Sequence, residues 1–494
     1  MTQTLKQLLA GISGVEVKGK DTTPILSLAT DSRRVGPGSL FFALPGLRTD
    51  GHFYISEAID RGAVAIVSEK DYWVPPQVTL IQVKNMREVV ARVASRFYGD
   101  PASRLGLTGF LGTSGKTVAS SLLRHFLLPQ GPVGMLGTIH YAVGNRTLPA
   151  HRTTPEPIEM QALLAQILEH DCQRALIEVS SHGIDQDRVR GLQFQSLVLL
   201  NLTPEHLNYH GSMEAYLELE RNFILSQTEG LKHFIACVDD PGVYALVESA
   251  PAELLQKTIT CGTSPDALIR AEDIRYSERD TRFLLVWPGG SVKLVSPLLG
   301  EFNLQNVLAA IAAGYAEGID PPDMGAALLS FPGVRGRMER LEAPTPFNVL
   351  IDYMHTEAAY EKGLAMVRDL TKGRLITIFG CGGNRDASTR PVITGIVSEL
   401  SDLAIATADN PRNEAVQDIF DDMREGNTHR ANLQFIPDRR AAIAAALELA
   451  RPGDTVLIAG KGHETFQEFE DCVVPFDDRA VARDIIQNKQ WNRR

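Results

Sequence analysis

The sequence lacks the features that would place it among disulfide-rich, zinc-binding or membrane proteins. Its five cysteines are an odd number, are widely separated and never occur at a Cys-x-x-Cys spacing. We therefore expect neither a disulfide framework nor a structural zinc site, as in a reducing compartment. The first ten residues are too weakly apolar for a signal peptide, and no apolar run reaches membrane-spanning length. These absences predict a cytoplasmic protein without membrane insertion.

Blocks of positive charge are absent as well. The chain carries 49 Lys and Arg against 60 Asp and Glu, a net charge of −11, and no basic cluster interrupts the distribution. A nucleic-acid partner is therefore not expected, because a polyanion needs clustered cations. Small anionic substrates would have to be held by local Arg and Lys side chains. With 494 residues, the chain is too long for one core and predicts about three domains.

One stretch carries a strong chemical signal, Gly-Phe-Leu-Gly-Thr-Ser-Gly-Lys-Thr at 109–117. It follows a predicted strand at 105–108 and opens an amphipathic helix, so its backbone N–H groups and the helix start favour bound phosphate. The spacing departs from the standard phosphate-loop pattern, because Phe110 stands where that pattern has glycine. An ordinary strand-to-helix turn is the alternative. The predicted nucleotide-binding residues are Gly112, Thr113, Ser114, Gly115, Lys116, for the outer phosphates, and Thr117, for Mg²⁺.

Polar residues follow several predicted apolar strands. In the central part, Glu178-Val-Ser180-Ser-His182 and Asn201 to His210 are such tails. Because ligands of doubly wound sheets lie beyond the carboxyl ends of the strands, both tails should face the phosphate loop. A carboxylate and an imidazole there could bind Mg²⁺, although His182, His206 and His210, each taken singly, are better explained as structural residues. Asn303 is expected to cap an alanine-rich helix.

The two ends of the chain show related patterns. Near the N-terminus, Asp31-Ser32-Arg33 is either a simple Asx turn or a source of a hydroxyl and a guanidinium for an anionic ligand. In the last third, four strands end in polar or glycine-rich tails at 352–355, 381–386, 408–412 and 461–464. Four such tails at one sheet edge could hold a carboxylated substrate.

Taken together, these motifs resemble those of the Mur ligase family. The matching stretches extend from Asp31 to Arg479 and include GTSGKT, TTPE, EVSSHG, NLTPEHLNYHG, FNLQN, GRMER, DYMHT, GCGGNRD, DNPR and GKGHE. The resemblance implies an α/β fold of three domains. They are a UDP-sugar-binding domain at 1–103, a central phosphate-loop ATPase domain at 104–334 and a Rossmann-like amino-acid-binding domain at 335–494.

The resemblance also implies an activity. It is that of an ATP- and Mg²⁺-dependent amide ligase of peptidoglycan precursor synthesis, which phosphorylates a carboxylate and lets an amine attack the acyl phosphate. The expected substrates are UDP-N-acetylmuramoyl-L-alanyl-D-glutamate and meso-diaminopimelate, and the expected state is a monomer. The form Asp409-Asn410-Pro411-Arg412 indicates the diamino acid, because lysine has no distal carboxylate for Arg412 to bind.

The same resemblance assigns residues to four groups. Those implied in catalysis are Lys116, Thr117, Glu178, His206 and Glu220, and all but Lys116 are implied metal ligands. Implied for ATP, besides the loop, are Asn303, Arg337 and Asp352. Implied for the UDP-sugar and its dipeptide are Ser32, Arg48, Thr153, Thr154, Ser180, Gln186 and Arg188. Implied for the amino acid are Arg385, Asp409, Asn410, Arg412, Gly460 and Glu464.

Several residues depart from the family pattern. Leu111 and Ser114 replace a Thr and an Asn of its phosphate loop, and Arg335 replaces a Pro. Glu220 stands where the family has a lysine that is carbamylated to bind a second Mg²⁺; a glutamate brings a carboxylate without CO₂ but with a shorter reach. Two alternatives therefore stay open: a related ligase that joins another amino acid to another carboxylate, and a non-enzymatic relative that keeps the fold.

Overall fold

Three β-sheets with flanking helices organise the computed structural model, which describes residues 3–46, 49–205, 207–426 and 431–489. The chain divides into two compact units, residues 1–270 with 308–324 and residues 271–307 with 325–494. None of the helices in the described ranges combines the length and the apolar character that a membrane span requires. The boundaries at 103/104 and 334/335 stay predictions.

The first sheet has five strands. The elements of this region are β1 (Gln3–Thr4), α1 (Leu5–Leu9), β2 (Val15–Lys18), β3 (Pro24–Ile25), β4 (Ser27–Ala29), β5 (Ser39–Phe42), α2 (Ile55–Asp60), β6 (Ala63–Ser68), β7 (Thr79–Val83) and α3 (Met86–Phe97). The strand order is β2-β7-β6-β5-β4, parallel except for β2. Strand β5 is buried along its whole length, as expected of a parallel strand covered on both faces.

The central sheet carries the glycine-rich turn. Its elements are β8 (Gly106–Leu111), α4 (Lys116–Leu127), β9 (Val133–Leu136), β10 (His140–Val143), β11 (Arg146–Pro149), α5 (Pro157–Glu169), β12 (Arg174–Glu178), α6 (Ser181–Asp185), β13 (Ser196–Leu199), α7 (Leu207–His210), α8 (Met213–Gln227), β14 (His233–Cys237), α9 (Pro241–Glu248), α10 (Ala252–Leu255), β15 (Thr258–Gly262) and β16 (Ile269–Tyr276). Strands β9-β12-β8-β13-β14-β15 are parallel, with β10 and β11 antiparallel beside β9.

Strand β8 extends to Leu111, three residues beyond the predicted strand end at Thr108. Phe110 is therefore a fully buried strand residue, and the turn itself begins at Gly112. This explains why the turn tolerates phenylalanine where the standard pattern has glycine: the apolar ring belongs to the sheet. Because β8 lies between β12 and β13, the carboxyl ends of all three strands reach the same edge.

The last region begins with an antiparallel hairpin, β17 and β18, and continues with the Rossmann-like sheet that the family resemblance predicts. Its elements are β17 (Thr281–Trp287), β18 (Gly290–Ser296), α11 (Glu301–Ala316), α12 (Pro321–Leu329), β19 (Glu339–Arg340), β20 (Asn348–Asp352), α13 (Glu357–Leu370), β21 (Leu375–Phe379), α14 (Thr389–Leu400), β22 (Leu403–Ala406), α15 (Val416–Glu425), β23 (Leu433–Phe435), α16 (Arg439–Leu449), β24 (Thr455–Ala459), β25 (Phe466–Glu468), β26 (Val473–Pro475) and α17 (Asp478–Asn488). The sheet order is β19-β20-β24-β21-β22-β23, parallel except for β19.

One expectation about a helix start is wrong. Helix α11 begins at Glu301, so Asn303 lies in its first turn instead of capping it. The buried Asn303 side chain donates its amide N–H to the carbonyl oxygen of Leu299 at 2.9 Å. Its amide oxygen accepts from the side-chain N–H of Asn306 at 3.4 Å. The glycine that precedes the helix, Gly300, has a φ of 83° and turns the chain into the helix three residues earlier than a cap at Asn303 predicts.

A buried ion pair joins α16 to α17. The guanidinium of Arg439 donates to both oxygens of Asp478 at 2.7 Å, and both side chains are fully buried. Burial alone would lower the pKa of Arg439, but the Asp478 carboxylate raises it above its usual value. Arg439 also donates to the carbonyl of Ala459 at 2.9 Å, at the end of β24, so the pair helps to fix this edge of the sheet.

We expect Asp478→Ala to lower the free energy of unfolding by about 3–5 kcal/mol, because it leaves a buried guanidinium without its counter-ion. The measurement is the urea midpoint of the transition that reports on the last region. The matched control is Asp484→Ala, since Asp484 pairs with Arg440 on the exposed face of the same two helices. An equal shift in both variants would contradict the dependence on burial.

Candidate functional site

The turn between β8 and α4 is shaped by two glycines. Gly112 has a φ of 109° and Gly115 a φ of 87°, conformations that other residues rarely adopt. A Cβ atom on Gly112 would also lie 2.6 Å from the carbonyl oxygen of Asn201. That carbonyl accepts from the N–H of Thr113 at 3.0 Å, and the Asn201 side chain accepts from the N–H of Ser114 at 2.9 Å. Asn201, the second residue beyond the end of β13, therefore holds the turn in place.

Lys116 and Thr117 begin helix α4 directly after this turn. The Lys116 ammonium donates to the carbonyl oxygens of Gly112 and, at 3.0 Å, Thr113. The Thr117 hydroxyl donates to Glu178 at 2.9 Å. The lysine thus lies across the turn where an anion would bind, and the threonine links the turn to the end of β12.

Glu178 is almost completely buried and receives a set of hydrogen bonds. Besides Thr117, the backbone and hydroxyl of Thr138 donate to its carboxylate at 3.2 and 2.8 Å. Burial raises the pKa of Glu178, while the Thr138 hydrogen bond and the charge of Lys116 oppose the increase. The sequence prediction missed Thr138. Its signal was available, since Gly137-Thr138 also follows a strand of this sheet.

Glu220 lies on α8 and is fully buried. Neither of its carboxylate oxygens has a hydrogen-bond partner among the described residues. Burial raises its pKa to about 7, and the charge of Lys116 opposes this, which places the lysine within electrostatic range of both Glu178 and Glu220. One helical turn before Glu220, the Tyr216 hydroxyl lies 3.0 Å from the Thr113 hydroxyl. This face of α8 therefore packs against the turn between β8 and α4.

A second group of predicted residues surrounds the end of β12. The Thr154 hydroxyl donates to the Glu178 carbonyl at 2.8 Å and accepts from the Ser180 N–H at 2.9 Å. The Ser180 hydroxyl caps α6 by accepting from the N–H of Gly183 at 3.1 Å. The Thr153 hydroxyl lies 3.1 Å from that of Thr138. The structure therefore brings these three predicted residues together beside Glu178.

Arg188 extends this group. Its guanidinium donates to the carbonyl of Thr154 at 3.1 Å and to the Gln186 side chain at 2.7 Å, and it forms an ion pair with Glu156 at 3.1 Å. Burial lowers the pKa of Arg188, which the negative charge of Glu156 partly offsets. Sequence reasoning named Arg188 and Gln186 but missed Glu156, although it stands in the quoted TTPE motif.

The predicted contacts to the uridine end are only partly described. Asp31 forms the Asx turn, since its carboxylate accepts from the N–H of Arg33 at 3.0 Å. The buried Ser32 hydroxyl donates to Glu57 at 2.9 Å, so in this structure it is engaged within the protein. Arg48 and the implied metal ligand His206 lie outside the described residues.

The second unit contains the predicted amino-acid-binding residues. Glu464 accepts from Lys461 at 2.8 Å and from the Asn410 amide at 3.0 Å, and Lys461 also donates to Asn410 at 2.9 Å. Lys461 is fully buried, and sequence reasoning did not assign it to the site. Gly460 has a φ of 108°, and a Cβ there would lie 2.7 Å from the carboxylate of Asp409. Lys461, Asn410 and Glu464 therefore form one hydrogen-bonded cluster, and Gly460 lies close to Asp409.

Arg412 lies next to this cluster on the loop after β22. Its side chain donates to Glu468 at 2.8 Å and to the carbonyl of Gly383 at 2.7 Å. Arg385 is exposed on the loop after β21, which also contains Gly383. The four polar tails thus follow strands of one parallel sheet and share one edge, as the sequence predicts.

The predicted nucleotide-binding residues of this unit lie near an aromatic group. The Arg337 guanidinium lies 4.9 Å from the ring centroid of Tyr353, whose ring is 4.8 Å from that of His463. Burial and the charge of Arg337 lower the pKa of His463 to about 4, so the imidazole is neutral at pH 7. Asp352 accepts from the N–H of Met338 at 2.6 Å, and burial raises its pKa to about 6.

In chemical terms, the first unit offers an anion-binding turn with a lysine and two buried carboxyl groups. Among the residues that the structure describes, no group of three or more His, Cys, Asp or Glu side chains is arranged so that it could hold a metal ion. A cation here would therefore rely on oxygens from Thr117, Glu178 and Glu220 together with a phosphate, the ligand set that Mg²⁺ prefers. The second unit offers two arginines and a glutamate, which suit a zwitterionic substrate.

Three segments of the chain match known protein families. Residues 24–98 match "Mur ligase family, catalytic domain", residues 111–314 match "Mur ligase middle domain", and residues 336–462 match "Mur ligase, glutamate ligase domain". The chain is also similar to the UDP-N-acetylmuramoyl-L-alanyl-D-glutamate–2,6-diaminopimelate ligases of two bacteria. It is 40% identical to that of Gloeobacter violaceus over 98% of both chains. It is 37% identical to that of Halalkalibacterium halodurans over 98% of this chain and 99% of the relative.

Solved structures give the same result. A UDP-N-acetylmuramoyl-L-alanyl-D-glutamate–2,6-diaminopimelate ligase superposes with a TM-score of 0.69 at 30% identity and covers 100% of both chains. A D-alanyl-D-alanyl-adding ligase from Acinetobacter baumannii has a TM-score of 0.65 at 19% identity and covers 93% of this chain and 95% of its own. At that lower identity, the second likeness concerns the fold alone.

Proposed function

The chain belongs to the Mur ligase family, and we propose that it adds meso-diaminopimelate to UDP-N-acetylmuramoyl-L-alanyl-D-glutamate with hydrolysis of ATP to ADP and phosphate. Relatives named for this reaction match nearly the whole chain at 37–40% identity. The observation that carries the choice of amino acid is Arg412, which lies beside the Glu464 cluster on one sheet edge. We further propose that the protein acts as a monomer in the cytoplasm.

The reaction has two steps that fit the site. A carboxylate oxygen of the dipeptide attacks the γ-phosphorus of ATP, which forms an acyl phosphate and releases ADP. The amine of the diamino acid then attacks the acyl carbon, expels phosphate and loses a proton to become the amide. In the first step, the turn at 112–115 and Lys116 hold the outer phosphates. The partial positive charges of the backbone N–H groups and the full charge of the Lys116 ammonium offset the negative charge of the moving phosphoryl group.

The residues near the turn fit Mg²⁺. Glu220 is a buried carboxylate whose oxygens have no hydrogen-bond partner among the described residues, and such a group is costly to bury without a cation. We propose that Thr117, Glu178 and Glu220 bind the ion, with the predicted His206 as a further ligand. When bound, Mg²⁺ supplies positive charge that offsets that of the phosphates. Glu220 would bring its carboxylate directly, where the family uses a carbamylated lysine.

The acceptor site suits an amino acid with two charged ends. Arg412 presents a guanidinium that can hold the distal carboxylate in a two-point contact, which lysine cannot make. Glu464, oriented by Lys461 and Asn410, provides a carboxylate for the distal ammonium. We propose that Arg385, Asp409 and Gly460 complete the site.

The test is ADP release from purified protein with ATP, Mg²⁺, UDP-N-acetylmuramoyl-L-alanyl-D-glutamate and either meso-diaminopimelate or L-lysine. We expect turnover with the first amino acid and a kcat/KM at least about tenfold lower with lysine, since a charge-assisted contact is lost. Product mass identifies the amide. Turnover only with another amino acid or another carboxylate would favour a related ligase, and failure to bind ATP would favour a non-enzymatic relative.

We expect Glu220→Gln to weaken Mg²⁺ binding strongly, so that half-maximal activity needs a higher Mg²⁺ concentration, and to lower kcat by at least about tenfold. The reason is that an anionic ligand is replaced by a neutral one. Wild-type activity should be indifferent to bicarbonate, since Glu220 needs no carbamylation. The variant should unfold at a temperature no lower than wild type, because the Glu220 carboxylate accepts no hydrogen bond from the part of the chain that the structure describes.

The matched control is Glu218→Gln, a neighbouring exchange on the same helix α8. It should leave both kcat and the Mg²⁺ titration unchanged. A Glu220→Gln enzyme with the wild-type Mg²⁺ response would remove Glu220 from the proposed metal site, and activation of wild type by bicarbonate would contradict the role of its carboxylate.

A further inference from the structure

The short strand β25 is bound along the loop that contains Asn410 and Arg412. The N–H of Glu468 donates to the Asn410 side chain at 3.0 Å, and the Glu468 carbonyl accepts from the N–H of Arg412 at 3.0 Å. The Gln467 amide donates to the carbonyl of Asp409 at 3.0 Å. The backbone of β25 therefore fixes the course of the loop that presents the predicted amino-acid-binding residues.

The conformation of Arg412 needs this support. Its φ of 53° is left-handed, a region that residues with a side chain rarely occupy and that persists only where the surroundings enforce it. In this conformation, the side chain turns back to β25, where its Nε donates to the Glu468 carboxylate at 2.8 Å. Glu468 is thus bound to Arg412 through both its backbone and its side chain.

The guanidinium is fixed at two of its three nitrogens. Nε is held by Glu468, and one terminal nitrogen donates to the carbonyl of Gly383 at 2.7 Å. The other terminal nitrogen has no hydrogen bond to the residues that the structure describes, and the Arg412 side chain is partly exposed. Two contacts fix the plane of a planar group, so the remaining N–H groups point in a defined direction.

We propose that Glu468 is a positioning and specificity residue, which holds the Arg412 guanidinium ready for the distal carboxylate of the amino acid. This inference rests on the proposed function. A free arginine side chain loses conformational entropy when it binds a ligand, and an arginine already held by Glu468 loses less. Glu468 is therefore not a catalytic residue, since it acts on the substrate only through Arg412.

The test compares Glu468→Ala and Glu468→Gln with wild type in the ligation assay. We expect Glu468→Ala to raise the KM for meso-diaminopimelate about tenfold, the loss expected for one charge-assisted hydrogen bond, with kcat and the KM for ATP within about twofold. Glu468→Gln should rescue most of this loss, because its amide oxygen can still accept from Nε. Thermal unfolding of each variant shows whether the fold is kept.

A double-mutant comparison shows whether Glu468 acts through Arg412. Arg412→Ala should itself raise the KM for the amino acid, and adding Glu468→Ala to it should bring no further increase. The matched control is Asp484→Ala, which removes the carboxylate of the exposed ion pair between Arg440 and Asp484 in the same region. It should leave every kinetic constant unchanged.

Three results would overturn the inference. Equal KM values in Glu468→Ala and wild type would show that Arg412 needs no positioning, and a lower KM would show that Glu468 competes with the substrate for the guanidinium. Additive losses in the double variant would show that Glu468 does not act through Arg412. If the wild-type enzyme does not ligate meso-diaminopimelate, the proposed function is wrong. If it does and the Glu468 variants behave as wild type, only the role of Glu468 is wrong.

Discussion

The parallel alignment of β12, β8 and β13 is the constraint on which the first site depends. It brings the end of β12, with Glu178, and the end of β13, with Asn201, to either side of the turn that begins at Gly112. Asn201 then binds the turn through its backbone and side chain, and the approach is so close that only glycine fits at position 112. The shape of the glycine-rich turn is thus set by sheet register, and the helix that follows it starts with Lys116.

The buried charges of the two units differ in how they are satisfied. Arg439 and Asp478 neutralise each other with two hydrogen bonds and are fully buried, so this pair fixes the structure and presents no charge to a ligand. Glu178 is partly satisfied by hydroxyl groups, and Glu220 is not satisfied at all among the described residues. An unpaired buried carboxyl lowers stability, and it persists where a bound cation repays the cost. Perturbed groups of this kind are typical of functional sites.

The strands and their polar ends could be read from the sequence because both depend on local patterns: apolar runs, glycines and the residues that follow them. Thr138 follows a strand as the other polar residues do, and its role becomes visible only through its hydrogen bond to Glu178, 40 residues away. Glu468 was missed because its partner Arg412 lies 56 residues away, which spacing does not reveal. The expected cap at Asn303 was wrong because a left-handed Gly300 starts the helix earlier. The exchange of lysine for Glu220 was visible in the sequence, but its burial beside the phosphate turn was not.

The central claim is that the turn at 112–117 presents the γ-phosphate of ATP to a substrate carboxylate. The most direct measurement uses UDP-N-acetylmuramoyl-L-alanyl-D-glutamate labelled with ¹⁸O in the carboxylate that becomes the amide. Attack of this carboxylate on the γ-phosphorus predicts that each released phosphate carries one ¹⁸O atom, and the amide retains the other. Phosphate without the label, at a time when labelled amide has formed, would contradict transfer of the phosphoryl group to the carboxylate.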